Sequence, residues 1–314
     1  MTVVASSFFQ GKRVLVTGGH GFLGGYVAEQ AVQAGAHVLR PSSAECDLRE
    51  PRACEELFHT EQPEVVLHCA VDGGGIAYMR ANPGSVLTHN VQMNTHVMDA
   101  ARRHGVQRFM GVSSACVYPR EAMVPMCEKD IWAGYPEPSN AAYGISKRLM
   151  MEQGLAYQQQ YGFSCAFPVP ANLYGPRDDF EPSRSHVVAA LVRRFLEARD
   201  SGDEEVVVWG SGRATREFLY VEDCAAAILE VAASEVCTGP INLGTGIETS
   251  VSELAQLVAR ACDYEGQITW DESKPDGQPR KSLDVTNAHH ELQWRATVSL
   301  QEGLQRTVRW YSSH

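Results

Sequence analysis

No two of the nine cysteines stand as a CxxC pair; the nearest are Cys46 and Cys54. An odd count at such spacing fits neither a disulfide framework nor a zinc pattern, and reduced thiols in a cytoplasmic chain are expected. No apolar run approaches the roughly 20 residues of a membrane-spanning helix. The opening stretch MTVVASSFFQGKR has no charged region followed by a long apolar one, so no signal peptide is expected there. Repeats and low-complexity segments are also missing. Positive charge is scarce: 27 Lys and Arg face 38 Asp and Glu, a net charge of −11. That sign argues against general binding to nucleic acid or a membrane surface. It leaves room for an anionic small molecule, because a few buried arginines override net charge locally. What the chain has is length: 314 residues, 44% hydrophobic, enough for one large α/β unit or two lobes.

Short apolar runs alternate with helical spacing. RVLVT (13–17), HVLR (37–40), PEVVLHCA (63–70), RFMGVSS (108–114) and FSCAFPV (163–169) read as strands. The run at 63–70 has no polar alternation, as expected of a strand covered on both faces. Helices are expected after Gly21 up to Gly35, at 84–104 and at 141–161. This rhythm predicts an α/β, Rossmann-type doubly wound parallel sheet. Beyond about residue 170 the pattern loosens. A helix at 185–198, a strand and turn at 205–212, a strand–helix element at 218–233, a polar loop at 273–285 and a last helix near 299–312 follow. A cofactor domain of 1–170 and 217–245 is expected, interleaved with a smaller lobe of 171–216 and 246–314.

TGGHGFLG follows the first strand and opens a helix. It fits both Gly19-x-Gly21-x-x-Gly24 and Gly18-x-x-Gly21-x-x-Gly24. Glycines there allow a tight turn and close backbone approach to a pyrophosphate. The second strand ends HVLRPSS, without the acid that would bind a ribose 2′-hydroxyl. Arg40 stands where a 2′-phosphate would lie, with Ser42 and Ser43 nearby, which favours NADP(H) over NAD. The bland alternative for Arg40 is a solvated strand-end charge. Asp47 has two readings of equal weight: an adenine-edge contact, or a cap for the helix beginning near Pro51.

AAYGISKRLMMEQ places Tyr143 and Lys147 at i and i+4, on one helix face. An ammonium beside a phenol favours the phenolate and is expected to lower the Tyr143 pKa. Such a phenol can protonate a carbonyl oxygen while hydride reaches its carbon. Ser114, at the end of its strand, can hydrogen-bond the same oxygen. Cys116 lies two residues further on; alone, it reads as packing.

These features resemble an extended short-chain dehydrogenase/reductase. SSACVYP, EPSNAAYGISK, ANLYGPRDDFEPSRSHVVAALVRRF, VVVWGSG, REFLYVEDCAAA, INLGTG and SKPDGQPRKSLDV resemble, more narrowly, the GDP-L-fucose synthase family, over about residues 12–311. That family epimerises carbons 3 and 5 of GDP-4-keto-6-deoxymannose and reduces carbon 4 with NADPH. The resemblance implies a Ser114, Tyr143 and Lys147 reductase triad, with Cys116 and His186 as the epimerisation acid/base pair. It implies cofactor contacts at Gly18, His20, Gly21, Phe22, Leu23, Gly24, Arg40, Asp47, Leu48 and Ala70, joined by Tyr143, Lys147 and His186. Substrate contacts are implied at Asn172, Arg194, Trp209, Arg216 and Lys281, the cations suiting a diphosphate. A homodimer is implied, and no metal. Departures are His20 where some relatives place another basic residue, Ala171 where threonine is common, and Asp72 and Gly73 in a loop expected to bound the sugar. Rival readings are the same chemistry on a GDP-heptose or natural-product sugar, an NAD-recycling 4-epimerase or 4,6-dehydratase, and a non-catalytic NADP sensor.

Overall fold

The computed structural model describes residues 3–274 and 276–314. Its strands are β1 (Arg13–Thr17), β2 (His37–Leu39), β3 (Val65–His68), β4 (Arg108–Gly111), β5 (Cys165–Pro170), β6 (Asn172–Tyr174), β7 (Glu205–Trp209), β8 (Thr215–Arg216), β9 (Phe218–Tyr220), β10 (Pro240–Leu243), β11 (Thr249–Ser250), β12 (Gln267–Asp271) and β13 (Arg280–Lys281). Six of them form one parallel sheet in the order β10-β5-β4-β3-β1-β2. β3, β4 and β5 are buried at every position, which is why their sequences show no polar alternation. Helices cover both faces. Pro83–Arg103 packs on Ala141–Tyr161, and Phe22–Gln33 packs on Val221–Ala233. The chain leaves β1 towards β2 at one edge and returns to β3 on the other side of β1. This is the switch point where open α/β sheets bind ligands.

A second apolar core lies in the C-terminal half. Phe195, Val208, Tyr220, Leu254, Val258 and Leu304 are among its members. The small sheets β12-β7 and β11-β8-β13 flank it. Leu283, Ala288 and Trp294 pack into the larger core instead.

Several elements differ from the sequence expectation. The strand expected at 108–114 stops at Gly111, because Ser114 caps a 3-10 turn over Ala115–Val117. The strand expected at 63–70 spans only Val65–His68. Helices Val3–Phe9, Val251–Ala261 and Thr286–Leu292 and strands β10 and β12 were not expected. For Val251–Ala261 the signal existed: Ser250 and Glu253 hold a capping-box spacing, and Ser250 Oγ accepts from the Glu253 amide at 3.0 Å.

Candidate active site

The glycine turn closes where β1 meets β3. Gly18 has φ +66°, and a Cβ there would lie 2.8 Å from Ala70 Cα, so only glycine lets the two strand ends approach. Gly21 is the N-cap of Phe22–Gln33 and provides no side-chain cap. The first-turn N–H groups, at Phe22, Leu23 and Gly24, therefore face outward as a cradle for an anion. Arg40 lies over the turn: a Cβ on Gly19 would come within 2.7 Å of the Arg40 Cβ. His20 Nε2 is 2.8 Å from the Arg40 carbonyl oxygen. This cradle, with no acid at the end of β2, fits a dinucleotide.

Two residues near this turn have local partners, and one reading changes. Ser42 donates its hydroxyl and amide to Glu45 Oε2, both at 2.8 Å, so Ser42 is already engaged. The Pro51–Glu61 helix is capped at Glu50 without a side-chain bond, so Asp47 does not cap it. Asp47 instead takes a two-pronged bond from Arg49, at 2.9 and 2.6 Å, which lowers its pKa to about 2. Leu48 beside it is buried.

Tyr143 and Lys147 project from one face of Ala141–Tyr161. Lys147 is 2% exposed and donates to the Val112 carbonyl at 2.8 Å; burial lowers its pKa to about 8. Its Nζ is 5.8 Å from the Tyr143 ring centroid. Burial pushes the Tyr143 pKa well up, the nearby Cys116 adds to this, and a hydrogen bond with Ser114 opposes it. The expected lowering by Lys147 is thus reversed. The ammonium is spent on Val112, and desolvation of the phenol outweighs everything else. Beneath Lys147, fully buried His68 bridges Thr17 (2.7 Å) and Asn94 (2.9 Å), and burial lowers its pKa to about 4. A neutral imidazole there adds no second charge to the buried lysine. The sequence reasoning missed this network.

Cys116 sits in the 3-10 turn that Ser114 caps; its amide donates to Ser114 Oγ at 3.2 Å. Its sulfur accepts from Asn140 Nδ2 at 3.2 Å and faces Lys281 Nζ at 3.6 Å. Asn140 was also missed, although it stands just before the Tyr143 helix. The structure thus brings together Ser114, Cys116, Tyr143 and Lys281.

His186 stands at the N-cap of Val187–Ser201 and makes no side-chain cap bond, so capping does not account for it. Its side chain is exposed to solvent; partial desolvation by the neighbouring chain lowers its pKa, with Asp179 opposing. The two residues before it, Arg184 and Ser185, meet the Gly73–Gly75 loop. The Gly75 amide donates to the Arg184 carbonyl at 2.6 Å, and Arg184 Nη2 donates to the Gly73 carbonyl at 3.3 Å. A Cβ on Gly75 would collide with the Ser185 carbonyl, and one on Gly73 would be 4.0 Å from the Tyr143 ring. Asp72, in the loop expected to bound the sugar, is engaged by the two helices that follow it. It accepts from the Tyr78 hydroxyl at 2.6 Å and pairs with His89 at 2.8 Å.

The remaining candidates lie on the second lobe's side. β8 and β13 pair Arg216 with Lys281 in register. Arg216 donates to the Thr215 and Asp276 carbonyls at 2.7 and 3.3 Å, and burial lowers its pKa. Arg194 donates to the Val207 carbonyl of β7; burial, then Arg193, lower its pKa. Trp209 is 65% exposed, with Lys274 Nζ 5.7 Å from its ring centroid. Asn172 donates to the Glu217 carbonyl at 3.0 Å, and Asn172, Ala115 and Lys281 border one crevice. No described hydrogen bond joins Arg194 or Trp209 to the Cys116 cluster.

Residues 14–244 match the NAD dependent epimerase/dehydratase family. GDP-L-fucose synthase of Escherichia coli (strain K12) is 38% identical over 310 residues, covering 96% of both chains. A crystal structure of a GDP-L-fucose synthetase from Naegleria fowleri bound to NADP is 28% identical, with a TM-score of 0.87, covering 97% of this chain and 95% of that one. A GDP-6-OMe-4-keto-L-xylo-heptose reductase from C. jejuni superposes with a TM-score of 0.90, over 96% of this chain and 98% of that one. At 24% identity that likeness speaks for the fold alone.

Proposed function

The chain belongs to the NAD dependent epimerase/dehydratase family, and from there we propose an NADPH-dependent epimerase and reductase acting on a GDP-linked 4-keto-6-deoxy sugar. It would convert GDP-4-keto-6-deoxymannose to GDP-L-fucose by inverting carbons 3 and 5 and reducing carbon 4. One observation carries this reading: Cys116 lies beside Ser114 and Tyr143, with two N–H donors on its sulfur. A 4-epimerase or a simple reductase has no use for a thiol there.

The 4-keto group acidifies the protons on carbons 3 and 5. Cys116, as thiolate, removes one: the C–H bond breaks, the S–H bond forms and the electron pair passes to the keto oxygen. Tyr143 and Ser114 donate hydrogen bonds to that oxygen as its charge grows. His186 returns a proton from the opposite face. Burial keeps Tyr143 a phenol, so it holds the proton that the carbon-4 oxygen needs. NADPH, when bound, supplies the hydride. The uncapped helix at Gly21 suits its pyrophosphate, and Arg40 with His20 suits its 2′-phosphate. A cytoplasmic homodimer completes the reading.

The test is NADPH oxidation across a panel of nucleotide-linked 4-keto-6-deoxy sugars, with product stereochemistry by NMR. GDP-4-keto-6-deoxymannose is expected to oxidise NADPH and give the L-fuco product. Interconversion of 4-epimers without net NADPH use would overturn the proposal.

A further inference from the structure

We infer that Lys281 and Asn140 are positioning residues for the Cys116 sulfur, aiming two N–H donors at it so that it acts as an anionic base, and that Lys281 serves this role rather than gripping the diphosphate. The inference rests on the proposed epimerase chemistry, in which Cys116 removes a proton from carbon.

Three observations carry it. First, Lys281 turns to the sulfur. It stands opposite Arg216 in the β8–β13 register, and its neighbour Arg280 pairs with Glu248. Lys281 Nζ instead lies 3.6 Å from Cys116 Sγ. Second, Asn140 is the N-cap of Ala141–Tyr161, where asparagine usually caps the helix with its own side chain. Here it makes no cap bond; its Nδ2 donates to Cys116 Sγ at 3.2 Å, and its buried Oδ1 has no partner. The side chain forgoes the local bond that would stabilise its helix and is held against the sulfur. Third, the two donors come from distant parts of the chain, Asn140 ahead of the Tyr143 helix and Lys281 on β13. The sulfur is therefore held between the two lobes. When it takes the substrate proton, the S–H bond forms and the electron pair moves to the keto oxygen. The Lys281 ammonium faces the sulfur's charge before transfer.

The test reads the sulfur without any sugar. The full-length protein and its Lys281→Met, Lys281→Arg and Asn140→Ala variants are alkylated with anionic iodoacetate and with neutral iodoacetamide, and Cys116 is followed by peptide mass mapping. Cys69 and Cys127, which are also partly accessible, serve as internal references. Lys281→Met is expected to slow iodoacetate at Cys116 roughly tenfold. Iodoacetamide should slow less, and the reference thiols should be unchanged. Lys281→Arg should restore most of the rate, and Asn140→Ala should lose a few-fold with both reagents. With substrate, Lys281→Met should lower kcat for solvent-deuterium exchange while KM moves little. Unchanged Cys116 alkylation, or a raised KM with unchanged alkylation, would overturn the inference and return Lys281 to the diphosphate. A variant whose circular dichroism and urea midpoint depart from those of the parent is replaced by Lys281→Gln, read by the same criteria. Failure of the sugar panel with intact thiol effects would instead count against the proposed substrate.

Discussion

Glu217 offers a quantitative test of how the second lobe is pinned to the first. The residue is 1% exposed. One carboxylate oxygen accepts from the Thr245 and Gly246 amides at 2.5 and 2.8 Å. The other accepts from the Leu283 amide at 2.7 Å and the Ser282 hydroxyl at 3.2 Å. A single side chain thus anchors the loop after β10 and the segment that carries Lys281. Glu217→Ala leaves three backbone amides without their acceptor, and the Leu283 amide among them is buried. Stranding one buried group costs about 1–3 kcal/mol, but such losses overlap. Hydrogen bonds to a charged acceptor contribute about 1.5–3 kcal/mol each, and with that overlap about 3–5 kcal/mol is the expected destabilisation. Glu217→Gln is milder. Its amide oxygen can keep Thr245 and Gly246 while its NH₂ donates to the rotatable Ser282 hydroxyl. Only the Leu283 amide is then opposed by another donor, for about 1–3 kcal/mol. Equilibrium urea unfolding measures both. The expected order is parent, Gln, Ala, and both variants should also slow Cys116 alkylation because Lys281 shifts. A Gln variant as stable as the parent, or an Ala variant no weaker than Gln, would refute the reasoning.

Cys116→Ala should abolish solvent-deuterium exchange into the sugar and leave NADPH affinity unchanged by fluorescence titration; normal exchange would remove Cys116 from its role. Tyr143→Phe should cut NADPH oxidation by about 10²–10⁴-fold, the usual worth of a positioned acid, and an unaffected steady-state rate would count against it. Arg40→Ala should weaken NADPH by roughly 10–100-fold, the value of a charge-assisted bond, without changing NADH; equal losses for both would show that Arg40 does not read the 2′-phosphate. Burial raises the Asp178 pKa to about 7, above an unfolded value of about 3.9. The folded state therefore holds this proton longer than the unfolded chain, and its stabilising effect is lost as pH rises from about 4 through about 7. Asp178→Asn should gain stability relative to the parent over that range, read from urea midpoints; a constant difference at all pH values would contradict this.

The sheet, the glycine turn and the Tyr143–Lys147 spacing were legible because each is local: a strand, a turn or one helix face within a few residues. The second lobe was less legible because its pieces are short. β8 and β13 have two residues each, and β13 lies in a stretch whose prolines and charges read as loop. The direction of the Tyr143 pKa shift was misread because i, i+4 spacing says nothing about burial. The lysine's carbonyl partner, Val112, comes from the chain just beyond β4. Asp47 had two readings in the sequence, and the structure removes the cap because Glu50 holds the N-cap position. Asn140 carried a usable signal, an asparagine at a helix start, but the obvious reading of that signal is a cap. Only the fold shows the side chain turned to a sulfur.

The meeting of Gly75 with the Ser185 carbonyl has a consequence for redesign. Two backbones touch there with no side chain between them, so neither loop tolerates enlargement alone. A library that varies only residues 72–75, or only 182–186, would be filled with variants that displace His186. The unit of change is the pair of loops, altered together. A new sugar preference would have to be sought in coordinated double substitutions across that contact, leaving Gly75 fixed.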